Sequence, residues 1–188
     1  MSTILGIDPG LTRLGVGIIR QGLGRTVSLV HVDVYRTPAS DEPAARLGAL
    51  SMAVDRLLEE HQPDLLAVER VFAQHNVRTV MGTAQVSGVV LALAHARGIP
   101  VSLRTPSEVK AAVTGYGRAT KHQVGTMVQK ILGLDAMPQP ADAADALALA
   151  ITEAWRGVAH QGPQGAMTPA QRAWRDAEAR AKRPKLSS

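Results

Sequence analysis

Apolar and polar positions along this chain follow two rhythms. Residues 3–8, 14–20 and 26–35 are rich in Ile, Leu and Val and are separated by Gly10, Gly22 and Gly24. Such β-branched runs between turn residues predict three strands. Ser40, Asp41, Glu42 and Pro43 then make a helix-start signal, and Leu47, Leu50, Val54, Leu57 and Leu58 recur at helical spacing as far as His61. Beyond Pro63, residues 65–68 are all apolar, which suits a buried, parallel or central strand. A helix is predicted over 76–97, with Gly82, Ala84, Ser87 and Gly88 allowing another helix to approach closely, in the chain or across a dimer. A short strand over 99–103 follows. Thr105 to Glu108 and Thr120 to Gln123 each read as a capping box, the first with Pro106 at the opening helical position. The last strongly patterned helix covers 141–155. Together these elements predict an α/β domain with a mixed five-stranded sheet and helices on both faces.

Composition sharpens this in three ways. Hydrophobic residues make up 45% of the 188 and aromatics only 3%, so the core must be aliphatic. There is no cysteine, which excludes disulfides, thiolate metal sites and a cysteine nucleophile. No basic stretch followed by a long apolar segment opens the chain, so neither a signal peptide nor a spanning helix is expected and a cytoplasmic protein is.

The formal net charge of +5 is concentrated at one end: seven basic and two acidic residues lie from Arg156 onward. We therefore expect a folded domain over 1–156 and a mobile basic tail over 157–188, with a possible short helix at 169–181. The tail would serve solubility or a non-specific grip on nucleic acid. Inside the folded part, residues 32–68 hold three basic and seven acidic residues, whereas residues 69–130 hold eight basic and two acidic. That basic middle would set positive potential beside any chemistry near Glu69, as a polyanionic substrate requires; an ordinary solvated face gives the same counts.

Four carboxylates carry the chemical signal. Asp8 ends the first apolar run and precedes Pro9 and Gly10, with Gly10, Gly15 and Gly17 leaving open backbone beside it; Glu69 ends the fourth run. Asp142 and Asp145 stand three apart in an alanine- and leucine-rich helix, so both can face one locus. Taken singly, each has an ordinary reading as a turn, strand-end or helix-start acid. Jointly they describe a site of hard oxygen ligands for Mg²⁺ or Mn²⁺, because clustered buried acids repel unless a cation joins them. His75 and His122 are read as surface polar residues rather than bases.

The runs ILGIDPG (4–10), VERVF (68–72), GTAQVSGV (82–89), PSEVK (106–110) and ADAADALA (141–148) resemble, in order and spacing, the RuvC-type Holliday junction resolvases. The resemblance spans about residues 3–155. It implies a ribonuclease-H-like fold, a homodimer, and nicking of four-way DNA junctions dependent on Mg²⁺ or Mn²⁺, with two ions per site. It also implies association with the RuvA–RuvB branch-migration complex. By position, Asp8, Glu69, Asp142 and Asp145 would be the catalytic, metal-binding acids; some relatives carry histidine where Asp142 stands. Lys110 and Lys121 match basic residues near the scissile phosphate, and Phe72 matches an aromatic placed at the junction centre. Arg70, Arg78 and Arg118 are further candidate DNA contacts, although many relatives carry glutamine where Arg70 stands. Three alternatives stay open: a non-catalytic junction-binding protein, a nuclease of the same fold acting on RNA–DNA hybrid, and a nucleotide-binding domain of the actin and sugar-kinase type.

Overall fold

The strand and helix patterns are realised almost where the sequence places them. The computed structural model describes residues 1–71 and 77–161, with side chains for 1–71 and 80–156. In chain order the elements are β1 (Ser2–Asp8), β2 (Arg13–Gln21), β3 (Val27–Arg36), α1 (Pro43–His61), β4 (Leu65–Glu69), α2 (Val77–Ala96), β5 (Val101–Arg104), α3 (Pro106–Thr114), α4 (Lys121–Leu132) and α5 (Ala141–Gln161). Residues Met1–Val158 cluster as one compact unit. The expected tail, including the possible helix at 169–181, falls almost wholly outside the described residues.

The five strands form one sheet in the order β3-β2-β1-β4-β5. Short turns make β1, β2 and β3 successively antiparallel, while helical crossovers through α1 and α2 bring β4 and β5 back parallel to β1. The strand after Pro100 is Val101–Arg104, shifted slightly toward the C-terminus of its expected span, and it pairs Glu69 with Arg104.

Alternation along the central strands builds two cores. Leu5, Ile7, Leu14, Val16, Ile18, Leu66 and Val68 meet Leu50, Val54, Leu57 and Leu58 of α1 and Val86 and Val90 of α2. Ile4, Ile19 and Ala67 turn the other way, to Val109 and Val113 of α3, Val124 and Val128 of α4, and Leu147, Ala148, Ile151 and Ala154 of α5. By the same alternation Asp8 and Glu69 sit on the α5 face.

Helix ends show which local signals were physical. Thr105 and Thr120 both form complete capping boxes, with Glu108 and Gln123 reaching back to the cap backbone. Glu42, by contrast, caps α1 without any side-chain bond, so Pro43 alone supplies the start signal there. Gly157 does not stop α5, which continues past the expected end at 155 to Gln161.

Candidate active site

Asp8 and Glu69 close the two central parallel strands, one register step beyond the Ile7–Val68 pair. Helix α5 crosses this end of the sheet and supplies Asp142 in its first turn and Asp145 one turn on. Its seat is made of missing side chains. A Cβ on Gly6 would strike the carbonyl oxygen of Ala146, and one on Gly15 would strike that of Asp142. A Cβ on Gly17 would lie 2.8 Å from the Leu147 side chain. The glycines near Asp8 were expected to leave open backbone; Gly15 and Gly17 are instead covered by α5. That close seat lets aspartates, with their short side chains, reach the strand ends.

The other end of α5 is fastened by polar contacts. Gln21 donates to the Ala154 carbonyl (2.7 Å), and the Trp155 indole donates to the Arg25 carbonyl (2.9 Å). The Arg25 guanidinium lies 4.5 Å over the Trp155 ring. Arg104 of β5 forms a charged hydrogen bond with the buried Glu153. The helix carrying two of the acids is thus tied to the sheet on both sides of its core.

The electrostatics are those of crowded anions. Burial, first, and then the facing Glu69 push the Asp8 carboxyl up to about 8, with Asp145 and Asp142 adding in the same direction. Burial also raises Glu69, whose position opposite Asp8 lets the two carboxyls share a proton, while Lys121 and Lys110 oppose the rise. Lys121 donates to Asp145 at 2.7 Å, and this bond raises the Lys121 pKa. Arg13 stands 3.3 Å from Asp142. Among the described residues no group of three or more acids or histidines closes to metal-ligand spacing; two of the four acids are turned toward these cations instead. The donor set nonetheless fits a hard divalent cation, since all four groups are carboxylates and a cation would relieve the crowding that raises Asp8 and Glu69.

Two hollows flank Asp8. One, of about 240 Å³, is lined by Asp8, Glu69, Asp145, Lys110, Lys121 and the apolar Val109, Val124 and Leu149. The other, of about 520 Å³, is lined by the 8–13 turn, Arg46, Gly82, Thr83 and Asp142. Asp8 belongs to both, so the acids straddle a ridge rather than filling one hole.

Of the expected DNA contacts, Lys110 and Lys121 are brought to the acids. Arg118 is exposed between α3 and α4, and Arg70 is exposed just after β4, its amide bonded to the Arg104 carbonyl. Neither lines the hollows beside Asp8. His122 is exposed in the first turn of α4. Phe72 and His75 lie outside the described residues, as does the side chain of Arg78. Sequence reading missed Arg13 and Arg46. Arg13 had a readable signal, its place just past the Asp8 turn; Arg46 had none, because its contacts are with residues distant in sequence.

A ribonuclease-H-like sheet with carboxylates at its central strand ends and lysines beside them defines a nuclease of that fold class. Residues 4–153 match the family described as crossover junction endodeoxyribonuclease RuvC, and the chain belongs to it. It is 56% identical over 183 residues to the Paenarthrobacter aurescens crossover junction endodeoxyribonuclease RuvC, covering 96% of this chain and 97% of the relative. With the Saccharopolyspora erythraea protein of the same name it shares 62% over 153 residues, 81% of this chain and 77% of the relative. Among solved structures, Thermus thermophilus RuvC in complex with a Holliday junction substrate superposes with a TM-score of 0.80 at 34% identity, covering 85% of this chain and 97% of that one. The yeast mitochondrial Holliday junction resolvase shares the fold at 14% identity, with a TM-score of 0.63 over 84% and 82% of the two chains.

Proposed function

We propose that this chain resolves four-way DNA junctions by paired nicks, using Asp8, Glu69, Asp142 and Asp145 to hold Mg²⁺ or Mn²⁺, two ions per site. The observation that carries this is the convergence of acids from β1, β4 and α5 on Asp8, with Lys110 and Lys121 beside them. Bound there, the cations supply Lewis acidity and a water of lowered pKa, the chemistry that in-line phosphodiester hydrolysis needs. The products are a 5′-phosphate and a 3′-hydroxyl.

The chain's own groups orient and balance charge. Lys121 sits at the first position of a capped helix, so its ammonium and the helix N-terminus bear on the same side of the site. Lys110 adds positive charge from α3 across the cleft. When a phosphate enters, Lys121 can turn from Asp145 to an incoming oxygen, leaving that acid free to ligate. Val109, Val124 and Leu149 keep the floor of the cleft apolar, which strengthens these charge interactions. Phe72, Arg70, Arg78 and Arg118 are assigned to DNA contact.

A symmetric dimer would set two such sites against opposed strands of a two-fold junction. Supporting a dimer, α2 exposes Met81, Ala84, Gln85, Gly88 and Ala92, and a Cβ on Gly88 would meet open space. Association with the RuvA–RuvB complex and a cytoplasmic setting belong to the same reading; no described helix is long and apolar enough to cross a membrane. The tail after residue 156 is assigned to solubility or non-specific DNA grip.

The test is cleavage of a labelled mobile four-way junction beside linear duplex and RNA–DNA hybrid, with Mg²⁺ and with Mn²⁺, for the wild type and Asp8→Asn. Paired nicks in the junction alone, lost in the variant, are expected. Binding without cutting in either metal would turn the reading to a junction-binding protein. Equal cutting of hybrid or duplex would overturn the substrate.

A further inference from the structure

The larger hollow beside Asp8 holds a guanidinium that pairs with neither of the carboxylates lining it, Asp8 and Asp142. Arg46 is only 9% exposed, yet it forms no ion pair among the described residues. Its Nε donates to Thr37 Oγ1 at 2.9 Å and its Nη2 to Thr12 Oγ1 at 2.7 Å, both neutral hydroxyls. Nη1 and the remaining Nη2 proton have no protein acceptor among the described residues, and they are not sealed in the core, because Arg46 lines the groove. The guanidinium is held firmly. Thr37 donates in turn to the Leu11 carbonyl (2.5 Å), and its amide donates to that of Thr12 (3.2 Å), so the 8–13 turn and the end of β3 form a rigid collar.

A nearly buried guanidinium is costly to desolvate unless an anion meets it. Two hydroxyls would be clamped equally well by a neutral donor. What the arrangement adds is a fixed, outward-facing set of N–H groups at the floor of an open groove, the geometry with which arginine takes a phosphate. The groove shares Asp8 with the catalytic cleft and Asp142 with the acid cluster, so a strand lying over Asp8 continues into it. Gly10 keeps the turn flush, as a Cβ there would strike the Arg13 carbonyl, and Arg13 at the rim is already engaged by Asp142.

We infer that this groove seats a second phosphodiester of the cleaved strand, next to the scissile one, with Arg46 as its principal donor and a positioning residue for the cut. The inference rests on the nuclease reading above and assigns its substrate a fixed second contact.

The experiment uses the full chain and four-way junctions in which single phosphates flanking the cut are replaced, one at a time, by neutral methylphosphonates. Affinity is read by anisotropy in Ca²⁺ and cleavage in Mg²⁺, for the wild type, Arg46→Gln, Arg46→Lys and Thr37→Val. One flanking position should cost the wild type about tenfold in affinity, the size of a lost charge-assisted hydrogen bond. Arg46→Gln should bind unmodified junction about tenfold more weakly, with a salt slope shallower by about one, and should lose the penalty at that single position. Arg46→Lys should keep the slope and show a smaller penalty. Thr37→Val, which loosens the collar without touching the charge, should keep the slope and diminish the penalty less than Arg46→Gln does. A wild type with no sensitive position next to the cut would overturn the inference, and so would a penalty undiminished in Arg46→Gln and Arg46→Lys while cutting persists. If the wild type neither binds nor cuts the junction, the nuclease reading fails and this inference falls with it.

Discussion

The two faces of the sheet are packed in different ways, and the difference explains where the chemistry is. Against α1 and α2 the sheet presents Leu, Ile and Val, and the helices answer with Leu50, Leu57, Leu58 and Val90. Large aliphatic side chains hold those helices at ordinary distance. Against α5 it presents Gly6, Gly15, Gly17 and Ala67, and α5 answers with Ala146, Leu147, Ala148 and Ala150. Backbone lies nearly on backbone. The first face stabilises by buried apolar area. The second uses contact distance to set four carboxylates around one strand end, against their mutual repulsion.

Breaking the acid cluster should have the largest effect. Asp8→Asn is expected to lower cleavage by about 10³-fold or more, measured as single-turnover nicking of the junction. Stability should move the other way. The folded-state pKa of Asp8 lies above its unfolded value, so its contribution favours the fold at low pH and is lost as pH rises through about 8. In EDTA at pH 9 the variant should therefore melt above the wild type, a difference calorimetry would read, and added Mg²⁺ should raise the wild-type Tm more than that of the variant.

Lys121→Ala should come next, slowing cleavage by about 10²-fold while junction affinity changes far less, since Lys121 acts at one phosphate. Equal losses of rate and affinity would make it a general DNA contact instead.

The two packings can then be set directly against each other. Gly15→Ala pushes a methyl into the Asp142 carbonyl, and Leu58→Ala hollows the opposite core; each should cost about 3 kcal/mol in urea unfolding. Only Gly15→Ala should also reduce the cleavage rate per folded molecule, because only that face transmits displacement to the acids. The smallest effect is expected for Thr105→Ala, which removes a cap worth about 1 kcal/mol and should leave cleavage per folded molecule unchanged.

How much of this was legible depended on how local its cause was. The capping boxes at Thr105 and Thr120 and the strand runs were readable because each is set within a few residues. The four acids were readable as types and positions, and the structure brings them to one end of the sheet. Their partners were not. Nothing in the order of residues says that Gly15 lies under Asp142 or that Arg46 reaches Thr12 and Thr37, since those contacts form only once α1 and α5 have docked. Gly15 and Gly17 look like vacant backbone along the chain and become a helix seat in three dimensions.

Lys121 and Arg13 have one more consequence. With Asp145 and Asp142 already engaged by the chain's own ammonium and guanidinium, the proposed loading of a divalent ion would be an ion-exchange reaction rather than the filling of a vacant cage. On that proposal, whatever enters would have to displace these internal counter-ions as well as shed its own water. Affinity for metal and speed of cutting would then be set in opposition through the same lysine. Removing Lys121 should tighten metal binding in calorimetric titration even as it slows the nick, so an enzyme that binds its ions most tightly would not be the one that cuts fastest.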